Sequence, residues 1–465
     1  MTTTMKHPLM IITLGAALAL SRPPAARAQG NDAILDLLIK KGIITQREAN
    51  EVREQLDRQM AEAVELHNKG KFSSWLDGVK FSGDLRLRTD NISYEDYANT
   101  SDRLRFRYRL RLGMEFQYQE WATVNFRLAS GDGDPVSTNQ SFTDTFRKKP
   151  ITIDTISVTL QPPGWNWVKA IAGKMENPIW QPKLNSPMIY DFDVTPEGVA
   201  EVLQYTFGDK GQYRLFGQFG QFVLDEIGSN NSRDPLLFDM QAGIEMGFGG
   251  ELPKNPKLKV TAAGGFMMTH NVNNPGYTPF SDSPNKGNAN GSGSYTNTPL
   301  ADFNVVYGRT EIAYLITEKK FLGTPAVLTL CGELDKNIKR AYETLAGSSQ
   351  TVDPDQTLGW TIQLGFGEAK KKGEWQIAYQ YKYQEADSTF DALTDSDWGA
   401  GGIDRKGHCI KGTYQITDWW QVAVAAFLTE KISDRPNNGH NTVGGIGPNH
   451  GQDMLRIIAD SSFKF

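Results

Sequence analysis

The sequence predicts an all-β transmembrane barrel of about 16 antiparallel strands, preceded by a short helical or coiled-coil segment. Three observations carry this expectation. From residue 79 to the end the apolar pattern has a period of two, which puts alternate side chains on opposite faces of a strand. The connections between those strands alternate between short and long. The last strand ends on Phe465, with Leu455, Ile457, Ala459, Phe463 and Phe465 on one face.

The stretch 102–118 shows the period most clearly. Leu104, Phe106, Tyr108, Leu110, Leu112, Met114, Phe116 and Tyr118 alternate with Arg103, Arg105, Arg107, Arg109, Arg111, Gly113, Glu115 and Gln117. A soluble sheet could bury the apolar face and show the arginines to water, but soluble strands usually run to about five or six residues. A strand tilted across a bilayer needs roughly ten, alternating between lipid and a polar lumen.

Composition narrows the class. At 465 residues the chain suits one large unit or two or three ordinary domains. Mean hydropathy is −0.45, and no interior run has the roughly eighteen apolar residues of a spanning helix. A barrel needs only alternate residues to be apolar. The 45 glycines and 11% aromatic residues suit tight turns and interfacial girdles. A net charge of −5 gives no argument for nucleic acid. Cys331 and Cys409 form no metal pattern and no CxxC, fall on inward faces of well-separated strands, and read as two free thiols.

In chain order, residues 1–28 read as a signal peptide. Lys6 and His7 precede an apolar core, and Ala26-Arg27-Ala28 gives a small-x-small cleavage pattern. Residues 29–70 read as a periplasmic helical segment. Thr45 caps its second helix with Glu48 three residues on, and Ala49, Val52, Leu56, Ala63 and Leu66 recur at heptad-like spacing. That stripe predicts an oligomeric coiled coil or a helix folded against the barrel mouth. Residues 71–78 form a linker, and 79–465 form the barrel.

The expected strands are 79–89, 102–118, 121–131, 151–160, 167–175, 198–207, 213–224, 236–248, 258–269, 302–317, 326–335, 357–367, 374–384, 407–416, 419–430 and 453–465. From the second strand on, short connections (119–120, 161–166, 208–212, 249–257, 318–325, 368–373, 417–418) alternate with long ones (132–150, 176–197, 225–235, 270–301, 336–356, 385–406, 431–452). Short periplasmic turns, long external loops and an even strand number characterise outer-membrane barrels. The pattern places both ends of the barrel on the periplasmic side. Trp121, Trp167, Trp375, Trp419 and Trp420 fit interfacial girdles.

Four stretches, LLIKKGIITQREANEVREQL, AGKMENPIW, YDFDVTPEGVA and DSDWGAGGIDRKGH, carry a likeness over essentially the whole mature chain. On them the sequence resembles the Gram-negative putative porin family. The resemblance implies a barrel of the sixteen-stranded type, passive passage of small solutes, and a homotrimer. It implies no particular substrate.

Candidate pore-lining residues are Arg86, Arg88, Arg103, Arg105, Arg107, Arg109, Arg111 and Arg127, a basic ladder on one wall that Arg147, Lys148 and Lys149 could extend. Arginine is always charged, and a positive wall in a narrow pore raises local anion concentration. The bland alternative is that these residues only keep a wide, wet wall hydrated. The connection 176–197 is the candidate constriction loop, stiffened by Pro178, Pro182, Pro187 and Pro196. Folded inward, its Trp180, Asp191, Asp193 and Glu197 would face the arginines. Asp191 and Asp193 could instead pair statically with arginines or hold Ca²⁺, although their spacing is not that of an EF-hand. The stretch 270–301 reads as a mobile external loop. The acidic stretch 385–406 reads as a solvated loop, with a divalent cation bridging to lipopolysaccharide as the alternative.

No GxSxG, HExxH or P-loop occurs, so no enzyme, metal or cofactor is expected. The expectation is an outer-membrane porin for small polar or anionic solutes, in contact with outer-membrane lipid and lipopolysaccharide. The alternatives are a barrel tethering the membrane to peptidoglycan through its coiled coil, and an outer-membrane enzyme.

Overall fold

Alternating side chains give each strand one apolar and one polar face, and the only arrangement that hides every backbone hydrogen-bonding group without an edge is a closed ring of strands. That ring is what a computed structural model of the chain shows. It describes residues 39–41, 45–46, 50, 78–94, 102–228, 233–274, 277, 279, 288, 299, 302–339, 356–432 and 453–465. The chain divides into two units, Met1–Gly78 and Val79–Phe465. The predicted signal peptide 1–28, nearly all of the predicted helical segment 29–70 and residues 71–77 of the predicted linker lie outside the described residues. Within 29–70, residues 39, 40, 46 and 50 are described as helical.

Among the described residues the second unit is a barrel of sixteen strands. These are β1 (Val79–Tyr94), β2 (Arg103–Tyr118), β3 (Ala122–Ser130), β4 (Ile151–Leu160), β5 (Val168–Lys174), β6 (Glu197–Phe207), β7 (Tyr213–Val223) and β8 (Leu236–Glu251). The ring continues with β9 (Asn255–His270), β10 (Asn304–Phe321), β11 (Thr324–Asn337), β12 (Leu358–Gly367), β13 (Trp375–Gln384), β14 (Arg405–Thr417), β15 (Trp420–Lys431) and β16 (Asp453–Lys464). Each strand pairs antiparallel with its neighbours in sequence, and β1 pairs with β16 to close the ring. A two-residue strand, Gln140–Ser141, adds to β2 where β3 has already ended. The terminal Phe465 finishes the seam, exchanging backbone hydrogen bonds of 2.8 and 3.0 Å with Gly83.

The outer face is apolar. Phe81, Leu104, Phe106, Ile362, Leu364 and Ile457 are all exposed on it. At the end carrying the short connections, aromatic rings cluster: Trp165 stacks on Trp167 with centroids 5.6 Å apart, and Trp419 on Trp420 at 6.4 Å. The lumen holds its own apolar core. Ile179, Met188, Ile189 and Tyr190 from the connection between β5 and β6 pack on Phe390 and Leu393 from the connection between β13 and β14. They also pack on Leu237, Met267 and Tyr307 of the wall.

This face assignment has a measurable consequence. Ile362 lies mid-strand on the outer face of β12. Ile362→Arg is expected to destabilise the barrel by about 2–4 kcal/mol, and Ile362→Leu by less than about 1 kcal/mol, in urea unfolding from lipid vesicles.

Candidate functional site

The inward row of β1 carries Asp84, Arg86, Arg88 and Asp90, and the inward row of β2 carries the five arginines. Their register sets Arg86 opposite Arg109 and Arg88 opposite Arg107, while Asp84 faces Arg111 and Asp90 faces Arg105. Like charges directly opposite on a sheet repel, so the ladder needs carboxylates. Asp84 takes Arg109 at 2.5 Å, and Asp90 takes Arg105 at 2.5 Å and Arg456 of β16 at 2.8 Å. Arg88 is held between Asp460 of β16 and Asp397, both at 2.7 Å. Arg127 pairs with Asp154 of β4 at 2.5 Å and with Glu176.

The loop 175–196, between β5 and β6, runs through the barrel. Side chains from strands around the wall hold its backbone. Gln241 of β8 both donates to and accepts from Trp180, at 3.0 and 3.1 Å, and Arg309 of β10 donates to the Trp180 carbonyl at 2.5 Å. Gln363 of β12 accepts from Asn185 N–H at 2.9 Å. On β13, Gln380 binds both backbone groups of Ser186, Lys382 donates to the Pro187 carbonyl at 2.8 Å, and Gln384 donates to the Met188 carbonyl at 2.9 Å. The returning arm brings Asp193 to Arg111 at 2.8 Å and Arg109 at 3.7 Å, and Asp193 also accepts from Thr138. The loop's exit requires glycine. Gly173 and Gly198 are cross-strand partners with φ of 113° and 149°. A Cβ on Gly198 would lie 2.1 Å from the Gln221 carbonyl oxygen.

The acidic loop corrects a sequence expectation. Residues 385–404 are not a solvated loop, because Ala386, Asp387, Ser388, Thr389, Phe390 and Trp398 are all buried. Its Asp397 serves Arg88 and lies 3.4 Å from Arg456, and Arg456 also donates to the carbonyls of Ser396, Asp397 and Gly399. The two loops are joined: Asp191 N–H donates to Leu393 O at 2.8 Å, and the Asp191 carboxylate accepts from Ser396 N–H at 2.8 Å. Buried in this way, the acidic side chains do not offer a bridge to lipopolysaccharide. Of the stretch 270–301, the described Val272, Tyr277 and Asn288 are buried, and Asn288 donates to the carbonyls of Ala386 and Thr389.

The predicted site residues therefore divide. Of the three predicted carboxylates, Asp191, Asp193 and Glu197, only Asp193 meets the arginines. Asp191 pins loop to loop, and Glu197 sits at the first residue of β6, exposed and paired with Lys174 at 2.9 Å. Asp191 and Asp193 use different partners and do not converge on one cation. Trp180 packs against Phe216, centroids 6.0 Å apart. Arg103 is exposed at the strand end, and Lys149 turns to Asp144 at 3.7 Å, so 147–149 does not continue the ladder. Cys331 and Cys409 are free and buried.

Electrostatics explain the division. Burial alone would raise Asp193, but the guanidiniums of Arg111, Arg109 and Arg86 and the N–H of Thr138 hold it well below the carboxylate range. Asp397 is held down in the same way, against its burial, by Arg88, Arg456 and Arg86. Asp191 is pushed up, by burial first and then by the charges of Asp193 and Asp395.

Two inward cations on one cavity keep no carboxylate within ion-pair distance. Arg86 donates to the Asn139 side chain at 2.7 Å, and Lys411 of β14 has no ion pair among the described residues. The cavity has a volume of about 160 Å³ and lies between Asn185, Ser186 and Pro187 of the loop and the wall of β14, β15, β16 and β1; Arg88, Asp395, Asp397 and Asp460 also line it. Arg107, across from Arg88, likewise hydrogen-bonds, among the described residues, to Ser137 and the Asn139 carbonyl, at 3.4 and 3.3 Å. Lys411 was legible in principle, since alternation along β14 puts it inward with Cys409.

Because the Asp193 and Asp397 values are depressed in the fold, the stabilisation they give is complete above the ordinary value of about 3.8. It is lost progressively as pH falls from that value towards the depressed ones. Single-channel current noise is expected to stay constant from neutral pH down to that ordinary value and to rise below it. Asp193→Ala should release the returning arm at a cost of about 1–3 kcal/mol, between exposed and fully buried pairs. The expected readouts are flickering conductance and new proteolytic cleavage within 175–196.

Solved structures with a similar trace include Pseudomonas putida OprB (11% identity, 86% of this chain and 97% of that chain, TM-score 0.48). The outer membrane channel DcaP of Acinetobacter baumannii is also similar (12%, 83% and 97%, 0.43), as is the trimer form of Vibrio cholerae OmpT (13%, 83% and 99%, 0.44). No curated protein matches the chain. The family described as putative porin matches residues 92–272 and 314–447, more than half of the sequence. The chain thus belongs to the putative porin family and is a channel-forming β-barrel of the Gram-negative outer membrane.

Proposed function

We propose that the chain is a passive diffusion channel for small polar solutes, with a mild preference for anions, and that it works as a homotrimer. The observation that carries the preference is the pair Arg86 and Lys411, two inward cations without a carboxylate partner on one cavity beside the inserted loop. Most of the ladder is neutralised: Arg88, Arg105, Arg109, Arg111 and Arg127 each have a carboxylate partner. A neutralised wall orders water and gives a local transverse field, but it attracts few ions. Unpaired cations in a narrow space whose walls are poor in water do attract them. The solutes that fit are compact and hydrophilic.

Planar-bilayer recording under a KCl gradient tests this. The reversal potential is expected to be displaced modestly toward chloride and to move to zero in Arg86→Ala/Lys411→Ala, with conductance retained. A large displacement that survives this double substitution would assign selectivity to the paired ladder instead. Absence of conductance from folded protein would contradict the channel reading.

A further inference from the structure

Behind the inserted loops, on the wall formed by β10 to β13, lies a group of buried oxygens that the channel reading does not use. Asp335 of β11 is 1% exposed, and Gln384, Ser388 and Thr389 are fully buried. Asp335 has no ion pair among the described residues and no hydrogen-bonding neighbour but the Ser388 hydroxyl, while Gln384 Oε1 and the Thr389 hydroxyl have no hydrogen-bond partner. A buried carboxylate that no cation pairs is costly enough that folded proteins seldom keep one.

The register puts Asp335 and Gln384 in one row across the wall. Gly359 of β12 lies between Asp335 on one side and Gln384 on the other. With no side chain at 359, the carboxylate leans over it: a Cβ there would be 2.6 Å from both Asp335 oxygens. Asp335 is therefore aimed along the row toward Gln384. The amide nitrogen of Gln384 is committed to the Met188 carbonyl at 2.9 Å, which leaves its oxygen as the free end. Segment 387–389 covers the row, because Asn337 of β11 donates to the Asp387 carbonyl at 2.9 Å, and Ser388 sits beside the Asp335 carboxylate.

Charge in this interior is unbalanced. The charge of Lys382 acts on Asp395, Glu333, Asp335 and Asp191 alike, and its donors go to Ser186 Oγ and the Pro187 carbonyl, at 3.2 and 2.8 Å. Arg309 is taken by Glu333 at 3.3 Å.

We infer a site for a hard metal cation of the Ca²⁺ type, with Asp335 as its charged ligand and the side-chain oxygens of Gln384, Ser388 and Thr389 as neutral ligands. One carboxylate with carbonyl and hydroxyl oxygens, and no nitrogen or sulfur, is the donor chemistry that such ions take. By joining the 385–404 loop to the wall, the ion would fix the loop that carries Asp397 to the arginines.

The test uses the full chain purified in detergent and depleted with a chelator. Terbium luminescence is sensitised by Tyr307, which is directly opposite Asp335 on β10. Wild type is expected to give terbium emission that Ca²⁺ displaces, and Ca²⁺ should raise Tm relative to chelator, since a ligand bound only by the folded state stabilises it. Asp335→Asn should abolish both effects. Should that variant fail to fold, Ser388→Ala is expected to weaken Ca²⁺ displacement several-fold. Emission at the free-ion level in wild type would mean that the pocket holds water only and would overturn the inference. Emission unchanged in either variant would place terbium at surface sites and overturn it equally.

Discussion

Every backbone N–H and C=O carried across a bilayer must find its partner inside the protein, and the pairing of β1 with β16 is where this chain meets that demand. Closure has a second effect. It fixes which side chains share the lumen regardless of their distance in sequence, and so determines which charges must be balanced there. Arg88 and Arg456 come from opposite ends of the barrel sequence, yet both lie beside Asp397 because β1 and β16 are neighbours. The ionic network is a product of the seam, and the inserted loops are arranged to complete it.

The loops do so from two directions. Loop 175–196 is held at its tip by amides and ammonium from β12 and β13, and on its return by Arg111. Glutamines suit the first task because one side chain can both donate to and accept from a backbone, as Gln380 does with Ser186. Loop 385–404 then packs on the first through an apolar core and through Asp191. One space left open beside the loop tip is bounded by Arg86 and Lys411, with Asp395, Asp397 and Asp460 on its wall. Function on this account belongs to the residual space more than to the arginine row that dominates the sequence.

The strands were legible because lipid enforces a period of two over many residues. All sixteen expected strands are present, displaced by a few residues where polar ends extend the pairing, as in β8, which runs on to Glu251. The inward turn of 176–197 was legible from its prolines and carboxylates. The partners of those carboxylates were not. Asp397 lies 309 residues from Arg88, and nothing local in the stretch 385–406 marks it as buried. Five aspartates in a loop normally mean water. Here arginines from the seam and a covering core replace the water, which only closure of the ring makes possible. Glu197 was misplaced for a related reason: the turn out of the loop occurs one residue earlier, at Pro196, and leaves Glu197 on the strand.

We propose that the two joined loops, pinned to β12 and β13, bound the passage. The most direct measurement is single-channel conductance in the presence of neutral polymers of graded size. In wild type only the smallest polymers should enter and lower the conductance. The cut-off should rise when Gln380→Ala and Lys382→Ala release the loop tip. A wild-type cut-off equal to that of an unobstructed sixteen-stranded lumen, unchanged by those substitutions, would contradict the account.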